Sequence, residues 1–331
     1  MKFALVFDPH LSDKAPSTRK DDYKEAILRK LQFVIDTANA EHCKAIIIAG
    51  DIFHRKIPSH NSHSLISRLI SLLGTFNGEV LVVAGNHDIS GNMANLWQQP
   101  LFVLHEAGVL NIMANNKDPF IFTDANLVVS VNGDGFSGAR DKKDSAALYN
   151  LNHHSADVNI GVFHQMILPD GESFFSDYIN FSDLTGINSD ILIDGHYHVG
   201  FNPTMVEQDG KYFINGGSLS RGSSDLVNLT KTPTFSMLDI QKIGDHVSVQ
   251  CTDVEVPHKK AEEIFDMQAV ARRKEVKELK LFVQNLSEFE VASLTSASPE
   301  SIVRNLTLMG MPENLSGLAE QYLTQAYERL N

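Results

Sequence analysis

A short apolar run that ends in glycine and aspartate constrains the fold most strongly. The run from residue 45 to 49 contains three consecutive isoleucines, and this pattern predicts a strand buried on both faces. Gly50 then allows a sharp turn of the backbone, so Asp51 stands where a parallel strand ends. Ligands gather outside the carboxyl ends of strands in open α/β sheets. Asp51 is therefore predicted to be a metal ligand or an acid–base group.

Other predicted strands end in the same way, in clusters of Asp, Asn and His. The clusters are, in chain order, DPH at 8–10, GDIFH at 50–54, GNHD at 85–88, GVFHQ at 161–165 and GHYH at 195–198. Side chains two residues apart on an extended backbone point to the same side, so Asp-x-His and His-x-His can each serve one site. Each cluster is a weak signal alone. Five of them in this order, with strands between, are a strong one.

Composition and charge limit the class of protein. Hydrophobic residues make up 43% of the 331 residues and charged residues 21%, which is ordinary for a folded soluble chain without a membrane span. We recognise no export signal, and two distant cysteines suit a reducing cytoplasm. The formal charge of −13 argues against binding of nucleic acid by a broad basic surface. It does not exclude a nuclease, because bound cations or a partner can reverse the charge locally.

The order of the elements predicts a larger domain followed by a smaller one. A helical pattern from Asp21 to Ala38, which includes Tyr23 and Lys30, connects the first strand to the central strand as in a βαβ unit. A helix that Pro100 would disturb is predicted from Asn92 to Glu106, and antiparallel strands are predicted at 211–214, 234–240 and 247–256. After Pro257 the chain becomes highly charged, with helical spacing at 276–286 and 315–323. We predict domains at 1–257 and 258–331.

Together the clusters supply the ligands of a catalytic two-metal centre, in which one carboxylate bridges two cations. The candidate ligands are Asp8, His10, Asp51, Asn86, His164, His196 and His198. Because no thiolate is among them, structural zinc is disfavoured, and oxygen with imidazole suits manganese, iron or zinc better than magnesium. We expect two divalent ions, with Mn²⁺ favoured over Mg²⁺, Fe²⁺ or Zn²⁺.

This ordered pattern resembles the calcineurin-like metallophosphoesterase superfamily over about residues 1–256. The histidine three residues after Asp51, and the glutamine after His164, are similar to the SbcD-type nuclease subunit of double-strand-break repair complexes in bacteria and their viruses. The resemblance implies an α/β (α+β) fold, a four-layer αββα sandwich with a small, mostly helical C-terminal region. It also implies a cytoplasmic location, in a bacterial cell or a phage-infected one.

The resemblance further implies roles for individual residues. The first metal would be held by Asp8, His10, Asp51 and His198, and the second by Asp51, Asn86, His164 and His196. His87 would stabilise the transition state and protonate the leaving oxygen, oriented by Asp88, and His54 would contact the substrate phosphate. Arg55, Ser218 and Arg221 are candidate substrate contacts, evenly balanced against a purely structural turn.

The implied activity is DNA phosphodiester hydrolysis as the nuclease subunit of an SbcCD-like end-processing complex. Its partners would be DNA, an SbcC-type coiled-coil ATPase and a second copy of the chain, with no membrane. Only residues 258–331 remain for the DNA-embracing cap and the ATPase-docking helices, so we expect either a reduced cap or docking helices that are merged with it.

Two alternatives stay open. A small-molecule phosphodiesterase or phosphatase of the same superfamily would need no partner. A scaffold subunit for a DNA-bound ATPase would have no catalytic role, although an intact ligand set argues against it.

Overall fold

The structure, a computed structural model, describes residues 1–16, 18–89, 93–142, 144–173, 177–272, 299–308 and 315–330. The chain divides into two compact units, Met1–Ile264 and Phe265–Asn331. The sequence-predicted boundary after Pro257 lies shortly before this division, and the functional meaning of the two regions stays a prediction. Among the described residues, no helix combines the length and the apolar character needed to cross a lipid bilayer.

The first unit is built around β-strands. In chain order the described strands are β1 (Lys2–Val6), β2 (Ala45–Ile48), β3 (Glu79–Val82), β4 (Asn111–Ile112), β5 (Phe120–Asp124), β6 (Leu127–Gly133), β7 (Val158–Phe163), β8 (Ile167–Leu168), β9 (Ile179–Asn180), β10 (Ile191–Asp194), β11 (Met205–Gln208), β12 (Lys211–Ile214), β13 (Thr234–Ile243) and β14 (His246–Glu255). The described α-helices are α1 (Tyr23–Ala40), α2 (His63–Leu73), α3 (Pro100–Glu106), α4 (Leu226–Thr230), α5 (Ala261–Ile264), α6 (Pro299–Leu308) and α7 (Ser316–Leu330).

Two six-stranded sheets contain the described strands other than β8 and β9, which pair with each other. The first has the order β14-β13-β1-β2-β3-β4, with β1 to β4 parallel and β13 antiparallel to both of its neighbours, β1 and β14. The second has the order β11-β12-β10-β7-β6-β5, with its four central strands parallel. We predicted antiparallel pairing for β12, and this holds towards β11, whereas β12 runs parallel to β10. Because the neighbouring strands run parallel, their carboxyl ends lie side by side at one edge of the sheet, where the candidate ligands must meet.

Alternation along each strand builds separate cores. In β2, Ile47 faces the second sheet, whereas Ile46 and Ile48 face the helices, because successive side chains point to opposite faces. The core between the sheets therefore contains alternate residues of the inner strands of both. The outer face of the first sheet is covered by α1, α2 and α3. Two short 3₁₀ helices, Ala146–Tyr149 and Phe181–Leu184, help cover the second sheet. The predicted sandwich class is confirmed.

Helix boundaries follow their capping residues. Asp22 accepts a hydrogen bond from the amide of Glu25 at the start of α1, and Ser62 does the same for Leu65 in α2. The helix predicted from Asn92 to Glu106, with a disturbance at Pro100, is a 3₁₀ helix at Met93–Gln98 followed by α3, and Asn92 lies outside the described residues. Pro100 has no amide hydrogen and begins α3, so a continuous helix cannot pass through it.

The second unit contains a packed pair of helices among its described residues. In α6 and α7 and at the residue before α7, Val303, Leu306, Leu315 and Ala319 form a small apolar cluster. The helical spacing predicted at 315–323 is confirmed by α7, and the one predicted at 276–286 lies outside the described residues.

Candidate metal centre

The candidate ligands come from strands of both sheets that end at one edge of the sandwich. Asp8 and His10 follow β1, Asp51 follows β2, and Asn86 follows β3. His164 follows β7 in the second sheet, and His196 and His198 follow β10. All seven side chains that we predicted as ligands lie in two neighbouring groups at this edge.

The first group contains Asp8, His10, Asp51 and His198. One potential ligand atom from each lies within 4.8 Å of all the others. The Nε2 atoms of His10 and His198 are 3.0 Å apart, and Nε2 of His198 is 3.6 Å from Oδ1 of Asp8. Two ring nitrogens that face each other this closely, beside two carboxylates, form a donor set that suits a divalent cation.

The second group contains Asp51, His164 and His196, with ligand atoms again within 4.8 Å of one another. Asn86 joins it, because its Oδ1 is 3.1 Å from Nε2 of His164. Oδ2 of Asp51 is 3.3 Å from Nε2 of His164 and 3.6 Å from Nε2 of His10. One oxygen of Asp51 therefore lies between the two groups, which is the position of a bridging ligand.

The backbone is strained at the ligands. Among the described residues, eight that are not glycine have a positive φ, and four of them are candidate ligands. These are Asp8 at 46°, His10 at 50°, Asp51 at 49° and His196 at 68°. A left-handed conformation costs a residue with a Cβ about 1–2 kcal/mol, and such strain persists where the surrounding structure holds it, often at functional sites.

Glycines allow the ligand loops to approach closely. A Cβ on Gly50 would lie 2.2 Å from Nδ1 of His164, and one on Gly85 would lie 2.1 Å from Oδ1 of Asp51. A Cβ on Gly195 would lie 2.0 Å from the carbonyl oxygen of Ala49. That oxygen accepts a hydrogen bond from Nδ1 of His164 at 2.7 Å, which leaves Nε2 of His164 available as a ligand.

Burial and charge set the protonation of the imidazoles. Burial lowers the pKa of His10 to about 3 and that of His196 to about 4, so both rings are neutral at pH 7 and can donate a lone pair. Burial also opposes charge on His164, but the carboxylates of Asp51 and Asp8 outweigh it and raise the pKa of His164 to about 10. The raised pKa indicates how strongly the two carboxylates attract positive charge at this point.

Buried polar atoms without partners show that these residues fit metal ions. Oδ2 of Asp8 and Oδ2 of Asp51 are buried and have no hydrogen-bond partner. A buried charged oxygen without a partner is costly, and a bound cation removes that cost. The donor set of carboxylate, amide and imidazole is one that manganese, iron and zinc accept.

Two further predicted residues, His54 and His87, lie beside the first group. The rings of His54 and His87 stack with centroids 5.6 Å apart, and the ring of His87 is 4.9 Å from that of His10. Nδ1 of His87 is 2.7 Å from the carbonyl oxygen of His54. Burial lowers the pKa of His54 to about 4. The imidazoles of His10, His54 and His87 each have a ring nitrogen within 4.8 Å of a ring nitrogen of the other two.

Asp88 differs from the role expected for it. Its carboxylate is buried and accepts hydrogen bonds from the amides of Ile52, Phe53 and Gly85 at 3.0–3.3 Å, whereas the ring of His87 bonds to the His54 carbonyl. Burial, followed by the charge of Asp51, raises the pKa of Asp88 to about 7. Asp88 thus ties together the loops after β2 and β3 and does not contact the imidazole that it was expected to orient.

The three candidate substrate contacts have different surroundings. Arg55 is exposed in the loop after His54. Ser218 is buried, and its hydroxyl is 3.1 Å from the carbonyl oxygen of Asp8. Arg221 is buried and donates to the carbonyl of Lys259. Contact of these residues with a substrate stays a prediction.

Two neighbours of the site were missed from the sequence. Phe136, on the loop after β6, lies with its ring centroid 5.4 Å from that of His196. Lys231 donates from Nζ to the carbonyl of His198 at 3.0 Å. Phe136 is apolar and Lys231 follows helix α4, so a search for polar side chains at strand ends could not find either residue.

Comparison with known proteins agrees with this geometry. The family model described as Calcineurin-like phosphoesterase matches residues 1–200. The DNA double-strand break repair protein Mre11 of Archaeoglobus fulgidus is 25% identical over 242 residues, which cover 67% of this chain and 50% of that protein. The Mre11 protein of Methanopyrus kandleri is 24% identical over 210 residues, or 60% of this chain and 45% of that protein. The chain thus spans about half the length of these curated relatives.

A solved structure shows the same fold. A Staphylococcus aureus protein assigned as a 5′-nucleotidase superposes with a TM-score of 0.52 at 17% identity, covering 82% of this chain and 57% of that one. At this identity the likeness concerns the fold alone.

Proposed function

The chain belongs to the calcineurin-like phosphoesterase family, whose members hydrolyse phosphoester bonds, and on this premise we propose that it is a metal-dependent DNA nuclease. Its role would be that of the nuclease subunit in an SbcCD-like complex for DNA end processing, repair or recombination. The observation that carries the proposal is the bridging position of Asp51 between two imidazole groups, in a chain similar to two Mre11 repair proteins.

The family uses a dinuclear metal centre, and the residues of this chain suit one. We propose that Asp8, His10, Asp51 and His198 hold the first ion, and that Asp51, Asn86, His164 and His196 hold the second. When bound, two divalent ions lower the pKa of water and neutralise charge on a phosphodiester. Mn²⁺ is the ion that we favour, because the sites combine imidazole nitrogen with oxygen.

The remaining polar residues would act on the substrate itself. We expect His87 to donate a proton to the departing oxygen from Nε2, because its Nδ1 is engaged with the His54 carbonyl. His54 would contact the phosphate beside the scissile bond. Asp88 would support both through the loops that it ties together. Arg55, Ser218 and Arg221 stay proposed substrate contacts.

The proposed partners follow from the same similarity. With a net charge of −13, the subunit would depend on an SbcC-type coiled-coil ATPase to hold the duplex. We propose residues 258–331 as the region that caps the DNA or docks that ATPase.

We also propose a homodimer, supported by an apolar surface beside α3. Trp97 is 65% exposed and Val103 is 50% exposed, and both line a cleft of about 600 Å³ together with Ile66 of α2. An exposed tryptophan beside other apolar groups is typical of an interface. Light scattering should give twice the chain mass for the wild type, and Trp97→Ser should shift it towards one chain. A monomeric wild type would contradict the proposal.

A nuclease assay on the full chain tests the proposed activity. Linear and hairpin DNA are incubated with Mn²⁺, Mg²⁺ or chelator, with and without a co-expressed coiled-coil ATPase. We expect cleavage with Mn²⁺, none with chelator, and none from Asp51→Asn, because the amide removes the charge shared by both ions.

The matched control is Asp157→Asn, another change of aspartate to amide. Asp157 is bonded to Lys242 and lies just before β7, at the opposite end of that strand from His164. The Asp157→Asn variant should cleave DNA at the wild-type rate. Hydrolysis of a small aryl phosphodiester without any cleavage of DNA would refute the nuclease and favour a small-molecule phosphodiesterase. Cleavage by Asp51→Asn at the wild-type rate would contradict the metal centre.

A further inference from the structure

The loop that carries Asp8 and His10 needs support from outside itself. Both residues have left-handed backbone conformations, with φ values of 46° and 50°. The loop holds its shape partly through parallel contacts with the loop after β2, where the amide of His10 donates to the carbonyl of Asp51 at 2.9 Å. The carbonyl of His10 lies on the other side of that residue, and it must also be paired if the strained conformation is to persist.

Tyr23 supplies a hydrogen bond to that carbonyl. Its hydroxyl donates to the carbonyl oxygen of His10 at 2.8 Å, and the residue is only 1% exposed. The ring is held in the core between α1 and the first sheet, with the guanidinium of Arg19 5.1 Å above it. Because Tyr23 is the first residue of α1, a rigid element fixes the hydroxyl.

The same helix supports the neighbouring loop through a second buried donor. Lys30, two turns after Tyr23 in α1, donates from Nζ to the carbonyl of Leu219 at 2.7 Å. The amide of Leu219 in turn donates to the carbonyl of Phe7, and the hydroxyl of Ser218 reaches the carbonyl of Asp8. Helix α1 therefore contacts the Asp8–His10 loop directly through Tyr23 and indirectly through Lys30.

We propose that Tyr23 is a positioning residue of the metal centre, which acts by holding the carbonyl of His10 so that the ring of His10 points at the first metal position. This inference rests on the proposed metal centre. If the hydroxyl is removed, the carbonyl of His10 loses this partner, and the peptide between His10 and Leu11 keeps only the bond from the Leu11 amide to the carbonyl of Ile52 at 2.7 Å. The strained residue can then relax, and the ring of His10 turns away from Asp51 and His198. Loss of a supporting hydrogen bond of this kind typically lowers metal affinity about 10- to 100-fold.

The test measures Mn²⁺ binding by the full chain after removal of metal with chelator, using the electron paramagnetic resonance signal of free Mn²⁺. We expect Tyr23→Phe, which keeps the ring, to bind Mn²⁺ at least about tenfold more weakly than the wild type. The matched control is Tyr149→Phe. Tyr149 is equally buried, and its hydroxyl also donates to a carbonyl, that of Arg140 at 3.3 Å, on a loop without candidate ligands.

A purely structural role predicts a different result. Both variants would then lose similar thermal stability and bind Mn²⁺ within about twofold of the wild type, and this outcome overturns the inference. If Tyr23→Phe does not fold by circular dichroism, Ser218→Ala takes its place, with the same tenfold loss expected because it frees the carbonyl of Asp8 in the same loop. A wild-type chain that binds no Mn²⁺ would overturn the metal centre together with this inference, whereas equal affinities would overturn only the inference.

Discussion

Substitution of Gly50 by alanine should disable the second metal position through a single added methyl group. Gly50 has a φ of +90°, and an ideal Cβ would lie 2.2 Å from Nδ1 of His164 and 2.7 Å from its Cγ. Ordinary contact begins at 3.4 Å, so the imidazole must move by about 1 Å. Metal–ligand distances tolerate deviations of about 0.2 Å, and the displaced ring also loses its bond to the Ala49 carbonyl.

The magnitude has two parts. The left-handed backbone costs alanine about 1–2 kcal/mol of folding free energy, and the clash adds about 1–3 kcal/mol for overpacking. Loss of the correctly oriented His164 should weaken binding of Mn²⁺ at least about tenfold, or about 1.4 kcal/mol. Gly244→Ala is the matched control, because Gly244 has a φ of +62° in the β13–β14 hairpin and a Cβ there would meet nothing within 4 Å.

Urea denaturation with and without Mn²⁺ separates the two parts. At a concentration 100 times the dissociation constant, bound metal stabilises the wild type by about 2.7 kcal/mol. We expect Gly244→Ala to lose stability and keep that increment, whereas Gly50→Ala should lose at least about 1.4 kcal/mol of the increment as well. An unchanged increment in Gly50→Ala would refute the steric reasoning.

Three other predictions follow from the structure. His87→Ala should bind Mn²⁺ like the wild type while its cleavage rate falls about 10²- to 10⁴-fold, and a wild-type rate in single-turnover assays would rule out its proposed proton transfer. Burial lowers the pKa of His153 below 6.5, so the unfolded chain takes up a proton first as pH falls through 6.5, and the free energy of unfolding drops. The His153→Gln variant should therefore lose less free energy of unfolding than the wild type between about pH 7.5 and pH 5. An equal loss in the two proteins would contradict this prediction. Burial raises the pKa of Cys43 to about 11 and that of Cys251 to about 12, so neither thiol should react with a disulfide reagent at about pH 8 until urea unfolds the chain, and rapid native labelling would disagree.

The sequence predicts the fold and the convergence of the candidate ligands because both depend on one short-range pattern. Each parallel strand is an apolar run, and its end is marked by glycine or by the ligand itself, as at Gly50 and Asp51. Once β1, β2 and β3 are parallel neighbours, their ends must meet, so Asp8, Asp51 and Asn86 come to one edge of the first sheet through strand order alone. The approach of His164 to Asp51 also needs the second sheet to pack on the first.

What the sequence could not provide depends on contacts between distant segments. Asp88 was predicted to orient the adjacent ring of His87, whereas its carboxylate accepts hydrogen bonds from backbone amides of another loop. Tyr23 and Lys30 read as members of an apolar helix face, although the lysine was a signal, because a buried ammonium needs an acceptor. Only the folded chain shows which carbonyl each donor meets.

The two groups of candidate ligands are divided between the sheets. Asp8, Asp51 and their neighbours come from the first sheet, and the three later histidines come from the second. Neither sheet alone can present a complete set to a cation, so tight metal binding must await their docking during folding. An ion bound by ligands from both sheets would then hold the two sheets together at this end of the sandwich. Removal of the metal should therefore weaken the packing of the two sheets at this end as well as abolish the proposed hydrolysis.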